Sequence, residues 1–417
     1  MLITTLLNRV EKHKGFVFGK ARMRSGGLRG GWIEIPVSAR KNGKAVCSEC
    51  GCPGGTYDHL DTRRFQYVPL WGFPVVLLYA LRRVNCLRCG VKVERIPWST
   101  GKSPVTRTLA LFLADWGKLL SWQDVARRFD VNWHQVYESV RYVVEWGLAH
   151  RGLSGITAIG VDEIQYGQGQ QYLTVVYQLC GTTRRLLFVG RNRDSKVLAS
   201  FLEEMGAAWC AGITHVCSDM WRAYLKVIQE RLPNALHILD RFHIVKLLNE
   251  AVDTVRRDEA AELRKKGLDL LKGLKYVFLK RPENLTVRQE EELMAVIGKR
   301  WLRTVRAYLW KEKFQLFWEY TSPLWAQRYL HRWCKGAMRS RLKPIKKFVR
   351  TIRSHEELIM NWFKAKKMYS SGAVEGMNRR VNLVTRKAYG YRSYEVLKIA
   401  LFHTLGRLPE PKMLHRF

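Results

Sequence analysis

The run Ile156-Thr157-Ala158-Ile159-Gly160-Val161-Asp162-Glu163-Ile164 decides how this chain is read. It has the apolar, β-branched texture of a strand, broken by two adjacent carboxylates. A carboxylate inside such a strand is costly unless it has a partner or a task. Neighbouring strand residues point to opposite faces, so only one of Asp162 and Glu163 can join a given site. The runs on both sides are apolar, and parity therefore does not choose between them.

Strand texture continues downstream. A Gly/Gln turn at residues 167–170 is followed by Tyr172 to Leu179, and a second turn by Arg185 to Val189. Three strands joined by short turns predict an antiparallel meander. A helix over Lys196 to Met205 comes next, then the strand Ile213 to Cys217, which ends in Ser218-Asp219. Another helix starts at Trp221, and the strand Ala235 to Leu239 ends in Asp240-Arg241-Phe242-His243. Antiparallel strands followed by alternating helix and strand predict a mixed α/β sheet, in the element order of the ribonuclease H-like fold. In a sheet of that order the first and fourth strands are neighbours, so Asp162 and Asp219 converge.

A third acid comes from far along the chain. In Ser371-Gly372-Ala373-Val374-Glu375-Gly376-Met377-Asn378-Arg379-Arg380, the residues Val374, Met377, Val381 and Val384 form the apolar stripe of an amphipathic helix. Glu375 falls on another face with Asn378, Arg379, Asn382 and Arg386. Three carboxylates at one point repel one another unless divalent cations compensate, and hard oxygen donors suit Mg²⁺ or Mn²⁺. Two such ions about 4 Å apart activate an attacking hydroxyl and stabilise the leaving oxygen in phosphodiester chemistry.

The N-terminal third carries two other signals. Cys47-Ser48-Glu49-Cys50 and Cys86-Leu87-Arg88-Cys89 supply four thiolates in two CxxC pairs, the donor set of a structural Zn²⁺. Two strand-like runs between them, Arg64 to Leu70 and Val75 to Val84, predict a hairpin between the knuckles. Cys52 and His59 lie nearby as spare residues, with His59 the likelier substitute ligand. After Pro104 the pattern turns helical. Ser121 caps a short helix in a capping box with Asp124 in place of Glu, and Asn132 caps a longer one running from Trp133 to Trp146. That spacing predicts a helix-turn-helix, with Trp133, His134 and Gln135 leading the second helix where bases would be met.

Charge fits the same partner. The 417 residues carry 72 Lys+Arg against 36 Asp+Glu, a formal charge of +36 that calls for a polyanion, and nucleic acid is the first candidate. With 47% hydrophobic residues and 15 Trp the chain is not a disordered one. The longest apolar run, Phe73 to Leu81, is too short to span a membrane, and the N-terminus reads as lacking a signal peptide. Nine cysteines, an odd number, suit a reducing cytosol. From Arg256 to Lys367 the chain is helical, with 29 Lys+Arg against 12 Asp+Glu. Arg341, Lys343, Lys346 and Lys347 belong to its densest basic run, which self-repulsion disfavours without a polyanion.

The chain resembles the bacterial DDE transposases of the L-three insertion-sequence family, which carry an N-terminal zinc-binding domain. The motifs occur in family order over nearly the whole chain: the paired CxxC, Ser121-Trp122-Gln123-Asp124-Val125-Ala126, Gly160-Val161-Asp162-Glu163, Ser218-Asp219-Met220, Asp240-Arg241-Phe242-His243, residues 371–378 and Arg386-Lys387-Ala388-Tyr389-Gly390-Tyr391. The resemblance implies that Asp162, Asp219 and Glu375 are the catalytic triad, and it favours Asp162 over Glu163. It also implies an all-helical insertion before the last catalytic helix. The expected organisation is a multidomain α/β protein: a zinc ribbon-like domain (1–100), a helix-turn-helix domain (101–150), the first part of a ribonuclease H-like domain (151–255), a basic helical insertion (256–367), and the last catalytic helices (368–417). Glu163, Asp240 and His243 are expected beside the triad, and Arg379 and Lys387 on phosphates.

The expected activity is cleavage of an insertion sequence at its terminal inverted repeats and joining of the 3′-hydroxyls to target DNA. The partners are double-stranded DNA and a second copy of the chain in a synaptic complex, in the bacterial cytoplasm at the nucleoid. Two rivals remain: a non-catalytic DNA-binding regulator with the same N-terminal modules, and a nuclease or resolvase on the same fold that cuts without joining.

Overall fold

A computed structural model describes residues 2–26, 30–166, 171–181, 184–368, 371–388, 390–391 and 393–411. The Gly/Gln turn at 167–170, and Tyr389 of the C-terminal motif, lie outside the described residues. The chain forms two compact units. One comprises residues 1–152 and 381–417, the other residues 153–380.

The first unit opens with helix α1 (Ile3–Val10) and a mixed sheet of β1 (Phe16–Phe18), β2 (Arg22–Arg24), β3 (Trp32–Ala39), β4 (Ala45–Val46), β5 (Pro53–Leu70), β6 (Phe73–Cys86) and β7 (Gly90–Val93). The order is β1-β3-β6-β5-β4, with β2 on β3 and β7 on β6. The expected hairpin is β5–β6, but β5 begins eleven residues earlier than its apolar pattern suggests. Residues 53–63 form a largely exposed ribbon, and a ribbon wet on both faces shows no hydrophobic alternation. Nor does sequence alone show that β3 pairs in parallel with β6. The core gathers Phe65, Leu77, Tyr79 and Leu81 around Trp98.

Helices α2 (Arg107–Leu119), α3 (Trp122–Phe129) and α4 (Trp133–His150) complete this part of the unit. Ser121 Oγ accepts from Asp124 N and donates to its carboxylate, so the Asp closes on the serine hydroxyl and not on its backbone. Asn132 and Gln135 form a full reciprocal capping box. Between the helices Asp130 takes a left-handed conformation (φ 55°), which lets Val131 N reach back to Ala126 O.

The second unit holds a five-stranded mixed sheet: β8 (Ala158–Gln165), β9 (Tyr172–Gln178), β10 (Arg185–Arg191), β11 (His215–Ser218) and β12 (Leu236–Leu239). Its order is β10-β9-β8-β11-β12; the meander is antiparallel, while β11 runs parallel to β8 and to β12. Helices α5 (Ser195–Met205), α6 (Ala207–Ala211) and α7 (Arg222–Arg231) lie between strands in the chain. Leu198, Phe201, Tyr224, Val227 and Ile228 from α5 and α7 bury one face of the sheet against Ile159, Val161 and Val176.

Helices then run from α8 (Arg241–Lys265) through α9 (Lys275–Leu279), α10 (Val287–Ile297), α11 (Arg303–Gln315), α12 (Pro323–Met338) and α13 (Lys343–Ser354) to α14 (Glu356–Lys364). Most of the aromatics here are core: Phe314, Phe317, Trp318 and Trp333 are all buried. Glu259 on α8 accepts from the N–H groups of Arg303 and Thr304, so a buried carboxylate satisfies the N-terminal donors of α11. Helices α15 (Ser371–Lys387) and α16 (Tyr394–Leu405) end the series. The stripe Val374, Met377, Val381 and Val384 is buried along its whole length.

Candidate functional site

The zinc-ligand candidates meet at the open end of the β5–β6 hairpin. Cys47 and Cys50 precede β5 on a turn closed by Gly51 N to Cys47 O, and Cys86 and Cys89 flank the turn into β7. The Sγ atoms of Cys47, Cys50, Cys86 and Cys89 all lie within 4.8 Å of one another, and those of Cys50 and Cys86 are 3.4 Å apart. A tetrahedral Zn²⁺ with bonds of about 2.3 Å to sulfur needs S···S spacings of about 3.8 Å. The donor set and spacing fit a structural zinc. Cys52 lies outside the cluster, and His59 sits in β5 opposite Arg82.

In the second unit, register places three aspartates at neighbouring positions. Cys217 pairs with Gly160, so Asp219 and Asp162 each lie two residues further along parallel neighbours. Ser218 pairs with Leu239, so Asp219 and Asp240 each lie one residue further. Strand alternation separates Asp162 from Glu163. Ile159 and Val161 face α5 and α7, and Glu163 shares their parity; its carboxylate is 3.1 Å from Arg193, whose guanidinium packs on Tyr172 and Trp221. Gly160 and Asp162 share the opposite parity, the side on which Val374 of α15 packs. This is the choice that parity in the sequence left open.

Asp162 lies within β8, while Asp219 and Asp240 directly follow β11 and β12. Asp162 Oδ1 accepts from Glu163 N at 2.8 Å, and Asn378 Nδ2 donates to its Oδ2. Asp219 Oδ1 accepts from Trp221 N at 3.1 Å. Asp240 Oδ1 accepts from Phe242 N at 2.6 Å, and its Oδ2 is 3.0 Å from His243 Nδ1. Burial pushes the Asp162 and Asp219 carboxyls above the usual range; His243 opposes this in both, while Asp240 adds to it in both and Asp162 adds to it in Asp219. For His243 burial works against the charged form. The hydrogen bond to Asp240 and the charges of Asp240, Asp162 and Asp219 outweigh it, and the net shift is upward. Behind the aspartates, His237 is buried against Ser218 Oγ at 2.8 Å, and burial lowers it to about 4.

Glu375 is not gathered into this group. Its carboxylate is 2.6 Å from Arg379 Nη2, one turn along α15, with side-chain exposures of 32% and 76%. Among the described residues the four cysteines are the one set of three or more such side chains with ligand atoms within 4.8 Å. The helix instead meets Asp162 through Asn378, which also accepts from Tyr177 Oη at 2.8 Å. The sequence puts Asn378 on the same polar face as Glu375 but gives it no role, and nothing in it marks Tyr177. Helical spacing from Glu375 is the signal the sequence offers for Asn378; the pairing of Tyr177 opposite Gly160 is long-range register, which local pattern does not show.

The remaining candidates are dispersed. Trp133 stacks on Tyr137 with rings 5.6 Å apart, and His134 is exposed. Gln135 uses its side chain in the capping box and on Gln66. Lys387 Nζ donates to the carbonyls of Gly117 and Lys118 at the end of α2, and burial lowers its pKa. Arg341 is exposed in a left-handed turn (φ 61°) before α13. That helix buries Ile345, Phe348, Val349 and Ile352, leaves Lys346 half-buried, and exposes Lys343 and Lys347 beside a groove of about 410 Å³ against α8.

A mixed α/β unit with aspartates on adjoining strands thus shares one chain with a four-cysteine knuckle suited to structural zinc, and comparison with known proteins assigns this pairing to enzymes that act on DNA. A family described as "Transposase", the DDE transposases of the ISL3 group, matches residues 159–401, and "zinc-finger of transposase IS204/IS1001/IS1096/IS1165" matches residues 43–89. The transposase for insertion sequence element IS1001 of Bordetella parapertussis is 28% identical over 355 residues, 84% of this chain and 86% of that protein. The transposase for IS1557 of Mycobacterium tuberculosis is 30% identical over 392 residues, 87% of this chain and 86% of that protein. The chain belongs to the ISL3 family of insertion-sequence transposases. No helix among the described residues is long and apolar enough to cross a membrane.

Proposed function

We propose that this chain is a metal-dependent DNA transposase on a ribonuclease H-like core, with Asp162, Asp219 and Glu375 as its catalytic carboxylates. The reading rests on one observation: Asp162 and Asp219 lie level on adjoining parallel strands, and α15, which bears Glu375, packs on the face that Asp162 shares.

The residues fit a hard divalent cation. Burial raises the pKa of both aspartates, neighbouring aspartates add to it, and His243 only partly opposes it, so a cation would be welcome, and all their donors are oxygens. Asp162, Asp219 and Glu375 would hold Mg²⁺ or Mn²⁺, which supplies Lewis acidity to the scissile phosphate and lowers the pKa of the attacking hydroxyl. Glu375 is free to take part at small cost, because an exposed pair such as Glu375–Arg379 contributes only about 0–1 kcal/mol. Once released, Arg379 is placed for a phosphate. His243, tethered by Asp240, contributes compensating positive charge beside the aspartates.

DNA is held elsewhere on the chain. The zinc module and α3–α4 read the element's terminal inverted repeats, with Trp133 and His134 at the leading end of α4. Arg341, Lys343, Lys346 and Lys347 follow the phosphate backbone, as an unpaired basic helix face does. The reaction is hydrolysis at each element end, then attack of the freed 3′-hydroxyl on target DNA. Incubating the protein with end-bearing DNA, a target plasmid and Mg²⁺ tests this. Joined products carrying the element 3′ end support it; cutting without joining favours a nuclease, and neither favours a regulator.

A further inference from the structure

Asp162, Asn378 and Tyr177 form one hydrogen-bonded chain across the catalytic face of the second unit, and two of its members have no part in the proposed reaction. Tyr177, on β9 opposite Gly160, is fully buried. Its hydroxyl donates to Asn378 Oδ1 at 2.8 Å, and Asn378 Nδ2 donates to Asp162 Oδ2.

The direction of the chain is fixed by its first link. A carboxamide has one accepting and one donating end, and a flip exchanges them. Burial and the Asp162 charge hold the Tyr177 hydroxyl far above its ordinary pKa, so it keeps its proton, and at 2.8 Å it donates that proton to Asn378 Oδ1. It therefore takes the Asn378 oxygen and turns the amide N–H₂ toward Asp162. The Glu163 N–H holds the other carboxylate oxygen at 2.8 Å. Both oxygens thus carry one donor each, and each oxygen keeps lone-pair capacity for a cation. The plane of the carboxylate is set before any ion arrives.

We propose that Asn378, oriented by Tyr177, is a positioning residue that presets the Asp162 carboxylate for divalent-cation binding. The inference rests on the proposed role of Asp162 as a metal ligand. Partners of this kind fix the orientation of a ligand, and their removal typically weakens metal affinity by roughly 10- to 100-fold.

The test is Mn²⁺ binding to the full-length, zinc-loaded protein, followed by the electron paramagnetic resonance of free Mn²⁺ and paired with melting curves. Asn378→Ala should weaken Mn²⁺ binding by about tenfold or more. Tyr177→Phe, which leaves the ring in the core, should weaken it in the same direction with its melting temperature near wild type. Asp162→Ala separates the two claims. If it binds Mn²⁺ as wild type does, the metal-ligand assignment fails. If it loses Mn²⁺ while Asn378→Ala and Tyr177→Phe bind normally, or weaken only in proportion to their drop in stability, the positioning role is overturned.

Discussion

Gly160 is the contact point between strand β8 and Val374 of α15: a Cβ on Gly160 would lie 2.7 Å from Val374 Cγ2 and 3.2 Å from Leu179 Cδ1. A hydrogen atom at this position lets the helix that carries Glu375 lie directly on the strand that carries Asp162. Gly160→Ala should therefore cost about 1–3 kcal/mol, the usual range for overpacking a filled core. It should also lower strand cleavage through displaced carboxylates while leaving binding to element-end DNA unchanged. Denaturant melts with parallel cleavage and gel-shift assays check both parts.

Asp219 sits among like charges, with Asp162 and Asp240 both raising its pKa after burial. The folded form thus holds its proton more tightly than the unfolded chain does. Stability from this group rises as pH falls through the folded and then the unfolded pKa, and is lost above both. Asp219→Asn keeps an oxygen for Trp221 N and removes a charge. It should raise the melting temperature of protein free of divalent cation at pH 7, and abolish cleavage. Wild-type stability should rise with Mg²⁺, by about 2.7 kcal/mol at a hundredfold excess over Kd, and Asp219→Asn should lose that response.

The same shifts set the acid limb of the reaction. Cation binding needs the aspartates ionised, and raised pKa values move that requirement upward. Cleavage should fall off at a higher pH than ordinary carboxylates would give, as the property of a coupled group and not of one residue. A pH–rate profile at saturating Mg²⁺, set against one at limiting Mg²⁺, measures it: the limiting-metal profile should fall first.

Cys50 and Cys86 sit 3.4 Å apart at the hairpin end with no disulfide between them. Metal analysis of purified protein should give about one zinc per chain, the stoichiometry of a four-thiolate site, and Cys86→Ser should lose it. Because structural zinc contributes folding energy directly, removal should loosen β4 and β7 and abolish specific binding to the element ends. Atomic absorption and gel shifts with specific and random DNA read the two effects separately.

Arg341, Lys343 and Lys347 stand exposed at the start of α13. Replacing all three by Ala should weaken DNA binding equally for specific and random sequences. It should reduce the slope of log K against log salt by about 0.9 for each phosphate that is no longer neutralised.

Much of the second unit was legible in the sequence because its strands are buried and its helices amphipathic. The meander strands, the helices α5 and α7 and the strand-end aspartates were read within a few residues of where they lie. What escaped was what local pattern does not encode. Long-range register set Asp162 apart from Glu163, and the exposed ribbon of β5 hid its own start. Lys387 and Gln135 read as open polar groups, yet they bond to Gly117, Lys118 and Gln66, far away in the chain. Glu375 was expected against the aspartates; it lies with Arg379, and Asn378 makes the contact.

The central claim is that Glu375 completes the site with Asp162 and Asp219, and Glu375→Gln tests it most directly. The substitution keeps the helix and a hydrogen bond to Arg379 but removes the charge. With Mg²⁺ and end-bearing DNA, the variant should bind the ends as wild type does and show cleavage and joining reduced by at least about a hundredfold, as loss of a charge-stabilising group does. Wild-type rates of cleavage and joining in Glu375→Gln would contradict the account.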